Sequence, residues 1–177
     1  MVAMKVLKGL KSKTKFEKAI VYPWPRILRI ILGDSEHREY TCLACRKSMF
    51  KAAEIVCRRE GATGIVTGES LGQKATQTLS NLGATTHGIK FPILRPLLGL
   101  DKIEIERLSK KLGIWHDVHA GCCYAVPKHP RTRADSEVLD KLLDELHIED
   151  AISKEHENIL EVRTFEEDFK GYLETLA

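Results

Sequence analysis

The chain reads as an α/β protein with a parallel sheet, on three observations. Short apolar runs suited to strands alternate with longer segments whose apolar residues recur every three to four positions, the pattern of strands joined by amphipathic helices. Residues 64–67, Gly-Ile-Val-Thr, run into the turn Gly68-Glu69-Ser70-Leu71-Gly72-Gln73. The chain is therefore expected to leave a buried strand, turn on glycine and expose backbone N–H groups at the start of a helix. Finally, 177 residues with 43% hydrophobic content are enough for one domain-sized core and exclude a disordered chain.

The elements follow in order. Residues 5–15 are lysine-rich and weakly helical. Residues 16–22, Phe-Glu-Lys-Ala-Ile-Val-Tyr, predict a strand stopped by Pro23 and Pro25, and Pro25 also suits the opening of a helix. Ile27, Leu28, Ile30, Ile31 and Leu32 predict a short buried helix over 26–32, ended by Gly33-Asp34-Ser35. Met49, Ala52, Ala53, Val56 and Cys57 form a helical stripe over 46–60, with Gly61 in C-cap position. A strand over 62–67, a helix over 73–82 and a strand over 89–94 come next. Asp101 then caps a helix through Leu112, whose Lys110, Lys111 and Gly113 suit its C-terminus. After Ser136 the chain is acidic, and Val138, Leu139, Leu142, Leu143, Leu146, Ile159, Leu160 and Val162 read as helical. The expected division is an α/β domain over 1–133 and a helical C-terminal segment over 134–177.

Charge narrows the partners only slightly. Charged residues make up 30% but the net charge is +3, so most of the charge is a mixed, solvated surface that permits RNA binding without requiring it. Six lysines fall within 5–18, and Lys128, His129, Arg131 and Arg133 form a second basic group. Such asymmetry lets one end face phosphate, although a lysine-rich helix also serves simply as a solubilising surface. No run of 18 apolar residues and no apolar signal core occurs, which predicts a cytoplasmic protein with no membrane association.

Five cysteines in a reducing compartment point to metal or sulfur chemistry before structural disulfides. Cys42 and Cys45 have the spacing that lets two sulfurs face one side of a tight turn. Metal ligation, a redox dithiol and plain packing all remain open for them. Cys122 and Cys123 near Lys128 and His129 are candidate nucleophiles, whereas Cys57 falls on a helical apolar stripe and reads as core. Arg95 and Lys102 are candidate phosphate ligands, and Asp101 reads as a helix cap. Glycine at 68 also suits an ordinary strand-to-helix connection. Trp24 and Trp115 read as packing residues.

Several motifs together carry a family resemblance. Gly68-Glu69-Ser70-Leu71-Gly72-Gln73 is followed by Pro92-Ile93-Leu94-Arg95-Pro96-Leu97 and Asp101-Lys102. Cys42-Leu43-Ala44-Cys45-Arg46 precedes them, and Gly121-Cys122-Cys123 with Pro127-Lys128-His129-Pro130 follows. This order resembles the PP-loop ATPase domain of the ThiI-type tRNA 4-thiouridine sulfurtransferases, over about residues 15–132. The resemblance implies a partial Rossmann-like PP-loop ATPase fold, ATP with Mg as cofactor, tRNA as substrate, a sulfur donor protein and a link to thiamine biosynthesis. It implies ATP contacts from Arg46, Gly68 and Gln77, and sulfur transfer by Cys122 with Cys123 close behind. It also implies an iron–sulfur cluster, or zinc, on Cys42, Cys45 and Cys122.

The resemblance has departures. Gly121 replaces an acid, Lys74 replaces a small apolar residue, and no Ser-Gly-Gly-x-Asp-Ser run occurs in these residues. That loop and its strand are expected to be missing between the strands at 16–22 and 62–67. The gap would be closed by residues 1–10, by a rearranged strand order, or by a second chain or homodimer completing the sheet. The expected reaction is ATP-dependent tRNA thiolation. The alternative is a split or degenerate PP-loop protein without independent catalysis that binds a metal cluster, RNA or a partner chain.

Overall fold

The computed structural model describes residues 2–117 and 125–163. Their order is α1 (Val2–Lys11), β1 (Ala19–Val21), α2 (Pro25–Gly33), α3 (Thr41–Glu60), β2 (Ile65–Val66), α4 (Leu79–Thr86), β3 (Ile93–Leu94), α5 (Lys102–Lys111), α6 (Ser136–Glu145), α7 (Ile148–His156) and β4 (Leu160–Val162). Single 3-10 turns at Arg38–Tyr40 and Ala75–Gln77 lead into α3 and towards α4. No helix among the described residues is long and apolar enough to cross a membrane.

The spine is α3. Its 20 residues span about 30 Å, and Leu43, Ala44 and Ala52 meet Ile27 and Ile31 of α2, Ala84 of α4, Leu139 and Leu143 of α6, and Ile148 and Ile152 of α7 in one core. Each fully buried Leu or Ile there contributes about 1.5–3 kcal/mol. The acidic C-terminal helices α6 and α7 thus pack into the same core as α2, α3 and α4. The helix ends where expected: Gly61 adopts φ +66°, and the Ala62 N–H reaches the Cys57 carbonyl at 2.9 Å. Cys57 is buried, which pushes its thiol pKa up, with Glu54 adding to the effect.

One charged side chain is sealed into this packing. Lys47 is fully buried, donates to the Ala84 carbonyl at 3.3 Å and pairs with Asp140 of α6, whose other oxygen meets His87 Nδ1 at 2.7 Å. Burial alone would raise the Asp140 carboxyl, but hydrogen bonds from Lys47 and His87 outweigh it and hold the pKa below the usual aspartate value.

The strands form two pairs. β2 and β3 are parallel, with Ile65 opposite Ile93 and Val66 opposite Leu94; β1 and β4 are antiparallel, with Ala19 opposite Val162. A side chain at Gly64 would lie 3.1 Å from the Pro92 carbonyl, so glycine lets the parallel pair close. Between the pairs, Ile20 and Tyr22, the Met49–Val56 stripe of α3 and Ile65 line an apolar cavity of about 470 Å³.

Four expectations are corrected. Residues 160–162 are strand, not helix, because pairing with β1 outweighs the local apolar spacing. The helix expected over 73–82 starts only at Leu79: Gly72 takes φ +77°, and the Thr78 hydroxyl accepts from the Asn81 N–H at 3.2 Å as the N-cap. The helix expected from residue 46 starts at Thr41, so Cys42 and Cys45 lie in its first turns and not on a tight turn. Residues 2–11 are helical and add no strand to the gap between β1 and β2.

Candidate functional site

The candidate site grows from the loop that follows β2. The Thr67 N–H reaches the Leu94 carbonyl at 3.0 Å, the Leu71 N–H reaches Leu98 at 3.0 Å, and the Ser70 hydroxyl donates to Leu100 at 2.6 Å. The loops after β2 and β3 are thereby fastened side by side, with Glu69 between them and fully buried. One Glu69 oxygen accepts from Arg46 Nε at 2.8 Å and Nη2 at 2.7 Å. The other accepts from Arg95 Nε and from the Thr67 hydroxyl, each at 2.8 Å. Burial pushes the Glu69 carboxyl up, but Thr67 and the two guanidinium groups outweigh it and hold its pKa below the usual glutamate value.

Two guanidiniums against one carboxylate leave a surplus positive charge. Arg95 Nη2 and Gln77 Oε1 are buried with no hydrogen-bond partner among the described residues, a state that costs about 1–3 kcal/mol per orphaned group. An oxyanion-bearing ligand supplies the acceptor that Arg95 lacks, and a ligand N–H the donor that Gln77 lacks. Glycine at 68 has no explanation among the described residues: its φ lies outside the left-handed range, and an added Cβ would meet none of them within 4 Å. Space above that backbone is what a bound nucleotide requires. Gly72 differs, since its φ of +77° selects glycine by itself.

A second wall of the site carries sulfur. Cys42, Cys45 and Arg46 of α3 line a largely apolar pocket of about 380 Å³ with Lys74, Thr76 and Ala125. Cys45 Sγ accepts a hydrogen bond from Trp24 Nε1 at 3.3 Å. Arg46 also stands over the Phe50 ring at 6.0 Å. Cys42 and Cys45 would offer a metal only two thiolates, and among the described residues no three His, Cys, Asp or Glu side chains gather to hold an ion.

Of the sequence candidates, Arg46 and Arg95 meet on Glu69. Gly68 lies in the loop between them, and Gln77 closes the 3-10 turn whose carbonyl takes the Gly72 N–H at 2.9 Å. Lys102 stands in the first turn of α5, exposed and 3.6 Å from Glu106. Asp101 caps that helix in a reciprocal capping box with Glu104, so it is a cap and not part of the pocket wall. Cys122 and Cys123 lie outside the described residues. Glu69 and Trp24 were missed as site residues. The signal for Glu69 was an acid in a loop between two arginine-bearing segments, with no helix of its own to cap.

Comparison with known proteins identifies the family. Residues 2–148 match the ThiI family, described as thiamine biosynthesis protein. A probable tRNA sulfurtransferase of Methanobrevibacter smithii is 41% identical over 128 residues, which are 71% of this chain and 34% of that protein. Its counterpart in Methanocaldococcus jannaschii is 34% identical over 151 residues, 82% of this chain and 39% of that one. The crystal structure of a 4-thiouridine synthetase–RNA complex with bound ATP matches with a TM-score of 0.72 at 26% identity, covering 90% of this chain and 42% of that chain. The chain therefore spans 34–39% of the length of these curated relatives. With the motifs in order, the partial Rossmann-like PP-loop fold around them and a family match over most of its length, the chain belongs to the ThiI family.

Proposed function

We propose that this chain provides the nucleotide- and sulfur-handling part of an ATP-dependent tRNA sulfurtransferase that forms 4-thiouridine, with a link to thiamine biosynthesis. The observation that carries the reading is Arg46, which joins the Glu69-bridged arginine pair to the pocket bearing Cys42 and Cys45. ATP, with Mg, is the proposed nucleotide. Arg46 and Arg95 would receive its phosphates, Gly68 would allow close backbone approach, and Gln77 would use its amide. Lys102 is a further proposed phosphate contact, on ATP or tRNA.

The chemistry follows from the need for a leaving group. A uridine carbonyl oxygen attacks the α-phosphorus of ATP and releases pyrophosphate. An external thiol cleaves the S–S bond of a persulfide on the carrier cysteine and leaves as the disulfide; the hydrosulfide so released attacks the carbon, and the oxygen departs with AMP. Cys122 and Cys123 are the proposed sulfur carriers. In support, Ala125, two residues after Cys123, lines the same pocket as Cys42 and Cys45. Cys42, Cys45 and Cys122 are the proposed ligands of an iron–sulfur cluster or zinc, which would supply a site for holding sulfur. A sulfur donor protein loads the carrier. A second chain or a homodimer is proposed to supply strands in the cavity between β1 and β2, where each strand keeps an edge unpaired among the described residues. The working compartment is proposed to be the cytoplasm.

Calorimetric titration with ATP and AMP tests the nucleotide reading, with Arg95→Ala as the comparison. Saturable binding weakened at least tenfold by Arg95→Ala is expected. Absence of nucleotide binding by the unaltered chain would sink it.

A further inference from the structure

We propose that the joined C-terminal ends of α1 and α5 form a docking surface for the phosphate backbone of RNA. The proposal rests on the reading of this chain as part of a tRNA-modifying protein. It starts from lysines that the nucleotide and sulfur site leaves unused.

The two helices are distant in sequence and meet at their ends. Gly9 packs against Ile114, with a methyl carbon 3.9 Å from where a side chain at residue 9 would begin. Beyond that contact, the Lys13 ammonium lies 3.9 Å from the same point at Gly113, which turns the chain out of α5 with φ +64°. The meeting gathers Lys8, Lys11, Lys13 and Lys15 with Lys110 and Lys111, all exposed. Lys110 covers the Trp115 ring at 4.8 Å and Lys11 covers Phe16 at 5.2 Å, so the aromatic surface is roofed by cations. Lys8, Lys13, Lys15, Lys110 and Lys111 have no ion-pair partner among the described residues.

A bland reading has the lysines merely answering the helix dipoles, and magnitude decides against it. Two helix C-termini present about one negative charge between them; residues 8–17 and 107–117 hold two carboxylates, Glu17 and Asp117, and Glu106, one turn back in α5, already pairs with Lys102. Six lysines exceed that sum, and six lysines against the two carboxylates alone is a surplus larger than the chain's whole net charge of +3. Concentrated cations of this kind suit a polyphosphate backbone. Geometry ties the surface to the site: α5 begins at Lys102, beside the Leu100 carbonyl that Ser70 holds, and its ten residues carry the lysines about 15 Å away. Backbone contacts there would orient an RNA whose reactive base lies in the pocket, carrying register but no sequence information.

The test is fluorescence anisotropy of the full chain with an unmodified tRNA transcript across about 50–200 mM salt. Lys8→Gln/Lys13→Gln/Lys111→Gln is compared with Lys90→Gln/Lys141→Gln/Lys154→Gln, an equal charge loss at exposed positions elsewhere. The first variant should flatten the slope of log affinity against log salt by about 2–3, at roughly 0.7–0.9 for each phosphate no longer neutralised, while the second leaves it within error. Equal losses in both variants would mean a net-charge effect and overturn the proposal. So would an unchanged slope in the first variant, which leaves the sulfurtransferase reading standing. Patch-dependent binding to vesicles containing about one-third phosphatidylserine, with RNA binding unaffected, would reassign the surface to membranes. No RNA binding by the unaltered chain would overturn this proposal, and the calorimetric titration with ATP would still decide the reading beneath it.

Discussion

Replacing Glu69 by glutamine probes the centre of the site with little change of shape. The carboxylate accepts three guanidinium N–H bonds and one hydroxyl, at 2.7–2.8 Å, and the arginine side chains are only 26% and 18% exposed. Hydrogen bonds to a charged group contribute about 1.5–3 kcal/mol against about 0.5–1.5 for neutral ones, so three guanidinium contacts weaken by roughly 1 kcal/mol each. The sum, about 3 kcal/mol, matches the lower end of the range for breaking one side of a buried ion pair. It corresponds to a fall in Tm of roughly 6–12 °C for a domain of this size. Urea unfolding followed by circular dichroism measures it at pH 7. The pH dependence supplies a second check. The folded pKa of Glu69 is depressed, so its contribution is fully present above the unfolded value of about 4.5 and is lost as pH falls through the lower folded value. The gap between the native chain and Glu69→Gln should therefore be constant near neutrality and close in acid. A cost under about 1 kcal/mol at pH 7, or a gap that persists in acid, would refute the account of Glu69 as the counter-charge of two arginines.

The glycines separate backbone fit from ligand fit. Gly68→Ala should leave urea stability within about 0.5 kcal/mol, since nothing among the described residues lies within 4 Å of the new Cβ. It should nonetheless weaken ATP binding at least tenfold, so unchanged calorimetric affinity would refute the cradle. Gly64→Ala should do the reverse, losing stability because its Cβ falls 3.1 Å from the Pro92 carbonyl, and a stable variant would contradict the close approach of β2 and β3. For the buried pair of α3 and α6, Lys47→Met and Asp140→Asn should each cost about 2–4 kcal/mol, and the double variant less than their sum. Additive costs in that cycle would mean the two residues do not interact.

What was legible in the sequence was whatever a few neighbouring residues decide. The αL glycine at 61 and the capping box of Asp101 and Glu104 are satisfied within one turn of chain, and both were readable as helix ends. The α3 stripe at Met49, Ala52, Ala53 and Val56 was readable for the same reason. Errors arose where distant chain decided. Leu160–Val162 has helical-looking neighbours but pairs with β1, more than 130 residues earlier, and no local period announces that. The start of α4 fell to a contest between Gly72 and Thr78, which the better cap won. At the site, Arg46 was singled out from the resemblance and Arg95 separately as a candidate phosphate ligand. Their convergence on Glu69 spans 23 and 26 residues, and only the fastening of two loops brings it about.

That convergence also bears on how the proposed reaction would be timed. Cys45 and Arg46 are consecutive residues near the start of one helix, so they point about 100° apart, and each is held by a different element. Trp24 donates to the Cys45 sulfur from the N-terminal edge of α2, and Glu69 grips Arg46 from the loop after β2. The cysteine wall and the proposed phosphate-binding wall are therefore fixed relative to each other by a single turn of α3. Thiolation needs a phosphate leaving group and an incoming sulfur to address one carbon, and a misplacement of about 1 Å costs on the order of a hundredfold in rate. Mounting both walls on one rigid helix removes their relative motion from that requirement. On this reading, substitutions that loosen the start of α3, such as Trp24→Phe, slow sulfur transfer while leaving adenylation intact.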